Sequence, residues 1–196
     1  MLSLTITFHP GFAQDINKMS RDYTNNYTGF HIKLPEGWTG FEGGQFFTAS
    51  PAGFSLKNVS QLAMYGGGTV PRIQAIKSDP MDNASIISFV HGESMLRQDR
   101  DSSPAGCKIS SRTYVEVNGV NSEKTTAECG SDQKIVGYLF ASNKSYIPNE
   151  PAIIQIMFNG TSAGFDHNLP KFEQSIQTLK IDEPRNIQAD IAQMTK

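Results

Sequence analysis

Cysteine is scarce: only Cys107 and Cys129 occur among 196 residues, with a single tryptophan, Trp38. No Cys-x-x-Cys or His-Glu-x-x-His spacing is present, so the common zinc motifs are excluded. A Gly-x-Ser-x-Gly nucleophile elbow is also missing. No apolar run approaches the roughly 20 residues that span a bilayer as a helix, so no transmembrane segment is expected. Neither charge sign is in excess. Lys and Arg total 17 against 19 Asp and Glu, a net charge of −2, and nucleic-acid binding is not expected without a basic stripe to displace counterions. Internal repeats and long low-complexity tracts are absent as well. What remains is a composition of 38% hydrophobic and 10% aromatic residues, enough for one ordinary core in a chain that buries roughly 70% of its unfolded surface.

Periodicity divides the chain into a lead (residues 1–22), a folded domain (residues 23–182) and a polar C-terminal tail with a short helix (residues 183–196). Gly29-Phe30-His31-Ile32-Lys33-Leu34 alternates apolar and polar residues, a strand signal, and Pro35-Glu36-Gly37 turns the chain to deliver Trp38. Further strands are predicted over 45–50, 72–77, 134–141 and 152–158, and the last is almost wholly apolar, as suits a strand covered on both faces. Residues 56–64 are ambiguous. Ile86, Phe89, Val90 and Leu96 predict a helical face over 85–96, weakened by Gly92. Leu169, Phe172, Ile176 and Leu179 predict a second helix with Pro170 in its first turn. The expected class is α+β: a mainly antiparallel sheet with helices packed on it.

Lys108 to Val117 and Val120 to Glu128 read as a hairpin turned by Asn118-Gly119. A three-residue loop that sets Glu116 opposite Val120 also sets Cys107 opposite Cys129, on the face of Ile109 and Ala127. Cross-strand neighbours stand close enough for a disulfide; the alternatives are two buried free thiols, or a register shifted by one residue that parts them. A bridge implies an oxidising compartment. Two features point the same way. Glycosylation sequons occur at Asn26, Asn58, Asn83, Asn143 and Asn159, where the content of Asn, Ser and Thr leads chance to supply about two. Residues 1–13 carry no charged side chain and end in the small-x-small Gly11-Phe12-Ala13, although a basic start is missing and His9-Pro10 interrupts the run. This segment reads as a lead or as the remnant of a clipped signal. The expected location is extracytoplasmic, secreted or at the cell surface.

The run Gly29-Phe30-His31-Ile32-Lys33-Leu34-Pro35-Glu36-Gly37-Trp38 resembles the opening of PsbP-like domains. Val117-Asn118-Gly119-Val120 resembles that family's central hairpin, and the stretch from Leu169 to Ile181 its terminal helix. The resemblance runs from about Tyr23 to Ile181. It implies an α/β/α sandwich, a central antiparallel sheet flanked by helices, and non-enzymatic roles: lumenal subunits that assist photosystem II, and one relative of the fold that binds the Ran GTPase. The region from Gly66 to Gly106 departs from photosynthetic members, and fold likeness alone does not fix function.

Candidate chemistry is sparse. His31, His91 and His167, with Asp166 beside the last, could assemble a metal or hydrolytic site if the fold brings them together. His91-Gly92-Glu93-Ser94 offers a histidine near a serine. Asp99-Arg100-Asp101 begins like a calcium loop but lacks its glycine and closing glutamate. Gly66-Gly67-Gly68-Thr69 could present backbone N–H groups to an anion. Phe46, Phe47, Tyr138 and Phe140 suit sheet packing or a partner groove. The reading these residues favour is an exported, non-catalytic binding or accessory module acting through contacts with an unidentified protein or membrane-associated complex, with no cofactor. The alternatives are a metal-dependent or hydrolytic enzyme with a histidine-lined site, and an intracellular GTPase-binding adaptor.

Overall fold

The computed structural model describes residues 17–18, 22–26, 28–43, 46–51, 54–56, 73–75, 79–93, 106–145 and 150–194. Its strands are β1 (Asn17–Lys18), β2 (Asp22–Asn25), β3 (Phe30–Lys33), β4 (Thr39–Gly43), β5 (Phe46–Ser50), β6 (Phe54–Leu56), β7 (Ile73–Ala75), β8 (Ala84–Gly92), β9 (Cys107–Val117), β10 (Val120–Cys129), β11 (Gln133–Ser142) and β12 (Ala152–Thr161). Helix α1 (Ser162–Ile176) follows, then β13 (Lys180–Ile181), β14 (Pro184–Arg185) and helix α2 (Ile187–Met194). The fold is α+β. Its main sheet runs β1-β4-β5-β8-β12-β11-β10-β9, antiparallel throughout, and β14 joins β11 where pairing with β10 stops at Glu123. A smaller sheet, β13-β3-β2, unites the two ends of the domain.

Each face of the main sheet carries one helix. Val136, Tyr138 and Phe140 of β11 and Ile154, Ile156 and Phe158 of β12 point to the face covered by α1 and by the small sheet. There Phe172 stacks on Phe158 with centroids 5.0 Å apart, and Phe165 lies 4.9 Å from the same ring. Such aromatic pairs add about 0.5–1.5 kcal/mol beyond their buried area. The alternate residues, Leu139 and Ala141 of β11 and Ile153 of β12, meet Ile187 and Ile191 of α2 on the opposite face. Among the described residues no helix is long and apolar enough to cross a membrane.

Two expectations need correction. Residues 84–92 form a strand and not a helix: Ala84, Ile86, Ser88 and Val90 are buried in strict alternation, while Phe89 is half-buried on the other face. Because both faces are partly covered, apolar side chains at 86, 89 and 90 imitate a helical spacing. The second helix begins at Ser162, not near Leu169, so Pro170 is an interior residue. Thr161 Oγ1 accepts from the Gly164 N–H, and Asp132 accepts from the Ser162 N–H through its main-chain and side-chain oxygens. These contacts cap the helix seven residues earlier than the proline suggested. Pro170 and Asp166 lie on the exposed side, where solvent can bond the Asp166 carbonyl that the missing N–H leaves. Finally, the short helix expected in the polar C-terminal segment is α2, and it is docked and not merely appended, since Ile187 and Ile191 complete a core cluster.

The hairpin holds the cysteines by a different route from the one expected. Asn118 (φ 47°) and Gly119 (φ 79°) form a two-residue turn closed by Val117 opposite Val120, so Glu116 faces Asn121. That register alone would miss the cysteine pair by one residue. A β-bulge inserts Ser110 between the Ser111–Thr126 and Ile109–Ala127 pairs, and Cys107 then lies directly opposite Cys129. The two form a disulfide with Cα atoms 3.9 Å apart.

Candidate functional site: a groove beside the bridged hairpin

A cleft of about 590 Å³ opens between helix α1 and the hairpin. Glu116 and Val117 of β9, Lys124 of β10, Tyr138 of β11, and Pro170 and Glu173 of α1 line it. The sheet's pleat presents Lys124 and Tyr138 together because they are direct cross-strand partners. The helix supplies Glu173 from its exposed flank, one position past buried Phe172. A smaller hollow of about 150 Å³ shares Lys124 and Glu173 and reaches Lys134 and Phe165.

One device occurs twice along this line. The Lys124 ammonium lies 5.4 Å from the Tyr138 ring centroid and 3.6 Å from the Glu173 carboxylate. Lys134 lies 6.0 Å from the Phe165 centroid and bonds both oxygens of Asp166 at 2.9 and 2.8 Å. Each sheet lysine lies near an aromatic ring and clasps a helix carboxylate, with Asp166 and Glu173 two turns apart on α1. Burial pushes the Lys124 pKa down, but the Tyr138 hydroxyl and the Glu173 carboxylate outweigh it and hold it above its ordinary value. Lys124 is therefore a standing positive charge on the cleft wall near neutral pH. Among the described residues that line the cleft none is a histidine, cysteine or serine. Its chemistry suits recognition: a fixed cation, carboxylates and a strip of apolar surface.

The histidines are dispersed. His31, on β3, accepts or donates at Nδ1 with Thr24 Oγ1 (3.0 Å), and its Nε2 lies 3.5 Å from Asp182. His91 stands on β8 opposite Ile153, on the α2 face, with its ring 5.9 Å from that of Phe89. His167 is exposed on α1 beside Asp166, whose carboxylate belongs to Lys134. Among the described residues no group of three or more His, Cys, Asp or Glu could hold a metal ion. The rival site built from His31, His91, Asp166 and His167 is not assembled: the topology puts His31 on the small sheet, His91 on the α2 face and the other two on α1.

Asp182 instead organises a tie between β13 and the turn before β3. Its N–H donates to the Gly29 carbonyl, and its carboxylate receives Lys144 Nζ at 3.1 Å. Lys144, with a smaller contribution from His31, holds the Asp182 carboxyl below the usual range. Gly29 (φ 63°) has no room for a Cβ, which would meet the Asp182 side chain. Close by, Ser175 Oγ donates to the Lys33 carbonyl and the Lys33 N–H donates to Thr178 Oγ1. The segments that carry the PsbP-like resemblance, 29–38 and 169–181, therefore meet in space.

Of the five sequons, Asn26, Asn83 and Asn143 are exposed, whereas Asn159 is half-buried and its Oδ1 accepts from Ser85 Oγ. Asn58 lies outside the described residues, as do Gly66-Gly67-Gly68-Thr69, Asp99-Arg100-Asp101 and Ser94. Phe47, Tyr138 and Phe140 are buried, and of these Tyr138 lines the cleft. Sequence reasoning missed Lys124 and Glu173. The available signal was Lys124 itself, a charge on the same strand phase as core residues of the hairpin.

No protein-family model and no curated protein matches this chain. Among solved structures it is similar to PA94 from Pseudomonas aeruginosa, a protein of unknown function, at a TM-score of 0.42 and 14% identity over 84% of this chain and 96% of that one.

Proposed function

We propose that this chain is an exported, non-catalytic PsbP-like binding or accessory module that works in an oxidising compartment through contacts with another protein. The Cys107–Cys129 disulfide carries the proposal, because such bridges persist outside the reducing cytosol. The bridge ties the open end of the hairpin that walls the groove. On the loop-entropy account, closing a loop of this length contributes about 3 kcal/mol. The groove supports the binding half of the reading, since it offers a fixed ammonium beside apolar surface. Exposed sequons at Asn26, Asn83 and Asn143 are compatible with passage through a glycosylating export route.

Intact mass of the native protein, alkylated before and after reduction, tests the compartment. The expected result is no alkylation of either cysteine until reductant is added, and two additions afterwards. Two thiols that react in the unreduced protein would falsify it. A photo-crosslinking residue in place of Gln174, which also lines the cleft, tests the binding half. A protein adduct on the outer surface of intact cells is expected, and adducts formed only with cytosolic proteins would refute surface action.

A further inference from the structure

The cleft beside α1 has a charged end and an apolar end. Lys124 faces Thr113 across the hairpin, so Val115 is its diagonal neighbour and Val117 follows two residues on. Residues alternate along a strand, so Lys124, Val115 and Val117 share the face that carries Tyr138. Diagonal positions stand about 7–8 Å apart. Val115 is half-buried, and the apolar end is floored by Val117 and Ile176, both almost fully buried.

The two sheet lysines differ in how firmly they are held. Lys134 bonds Asp166 at 2.9 and 2.8 Å, but the Glu173 carboxylate stands 3.6 Å from Lys124, and the Glu173 side chain is 49% exposed. An ammonium has three donors, and a carboxylate at 3.6 Å leaves room for a closer one. Turning Glu173 into solvent sacrifices little, because ion pairs this exposed contribute little. A tie also stands beyond each end of the hollows. Asn118 Nδ2 donates to the Leu179 carbonyl at 2.7 Å past the apolar end, and Lys134 meets Asp166 past the other. A segment running straight through would have to break a tie, whereas a chain end enters from above.

We infer that the cleft captures the C-terminus of a partner protein, with the terminal carboxylate on Lys124 and an apolar last side chain against Val115 and Ile176. The charge on the cleft wall complements the one charge that every C-terminus carries, and terminal-carboxylate capture is a recurring mode of recognition. A terminal leucine or phenylalanine bridges the gap between the two ends by itself. Exposed Gln174 and Gln177 put amide donors and acceptors on the rim, where the main chain of the preceding residues would lie. A simple alkyl acid would leave those amides unused. The inference rests on the binding half of the function proposed above and names what the groove binds.

Fluorescence anisotropy of the full, disulfide-bonded chain with labelled octapeptides tests it. The peptides share a glycine–serine stem and differ in their last two residues, and each is made with a free terminal carboxylate and with an amide. At least one peptide ending in an apolar residue is expected to bind with a Kd below about 500 µM, and its amide at least about tenfold more weakly. Lys124→Met should weaken the free acid by about the same factor, whereas Glu173→Gln, which removes the competing carboxylate, should tighten it about threefold. A merely structural role for the Lys124–Glu173 pair would instead weaken binding in both variants. No binding by any peptide up to about 2 mM, equal affinity of acid and amide, or wild-type binding by Lys124→Met overturns the inference. So does an amidated peptide with an internal glutamate that binds as tightly, or octanoate that binds where every peptide fails. If Lys124→Met does not fold, the amide comparison and Glu173→Gln decide. Should the peptides fail while the Gln174 crosslinker still captures a surface protein, the terminus is wrong and the wider binding reading stands; failure of both removes the two together.

Discussion

The two faces of the main sheet are built on different principles. The α1 face is a deep aromatic core, with Phe140, Phe158 and Phe172 fully buried and Phe30 and Phe47 continuing it beneath the small sheet. The α2 face has a small aliphatic cluster, Ala141, Ile153, Ile187 and Ile191, beside a charged pair, Arg185 and Asp190 at 2.6 Å. The long helix is thus anchored by volume, while the short one rests on a small aliphatic cluster beside an ion pair. Among the described residues, buried apolar volume concentrates on the α1 side. The other side can accept change at lower cost.

Core substitutions on each side test this contrast most directly. Phe172→Ala should cost about 4 kcal/mol, since it opens a large cavity between Phe158 and Tyr138. Ile191→Ala should cost about 2 kcal/mol, the low end for such truncations, because a helix of only eight residues can settle into the space. Urea denaturation of both variants measures the two values, and equal or reversed costs would erase the asymmetry. The smallest effect concerns Asp182, which joins the faces between β13 and β14. Its pKa is lowered in the folded state, so its contribution is present above the unfolded value of about 3.9 and is lost as pH falls through the folded value. Asp182→Asn should therefore flatten the acid limb of a plot of Tm against pH below about pH 4 and change little near neutrality. A steeper acid limb in the variant would contradict that linkage.

Local chemistry was the legible part of the sequence. Asn118-Gly119 specified its turn because only residues tolerant of positive φ fit both central positions. The apolar run of β12 announced a strand buried on both faces. The facing of the two cysteines was legible, but the arithmetic behind it was not, because a three-residue loop and a two-residue loop with a bulge give the same pairing at the open end. Strand β8 was hidden by partial cover on its second face. Helix α1 started early because Asp132, thirty residues away, bonds its first N–H. The docking of α2 was equally invisible, since four consecutive apolar signals never occur in that segment. As for the site, single residues were legible but their meeting was not. The groove depends on Lys124 and Tyr138 sharing a rung and on Glu173 standing over them, and spacing in the chain encodes neither.

The small sheet has a temporal consequence. His31 pairs with Lys180, and Gly29 bonds Asp182, so the domain cannot close until almost its full length is available. Contacts of such sequence separation slow folding, because loop closure must precede its reward. A nascent molecule of this kind keeps β3 waiting for its partner until Lys180 to Asp182 have been made, so its early strands stay accessible to chaperones throughout synthesis.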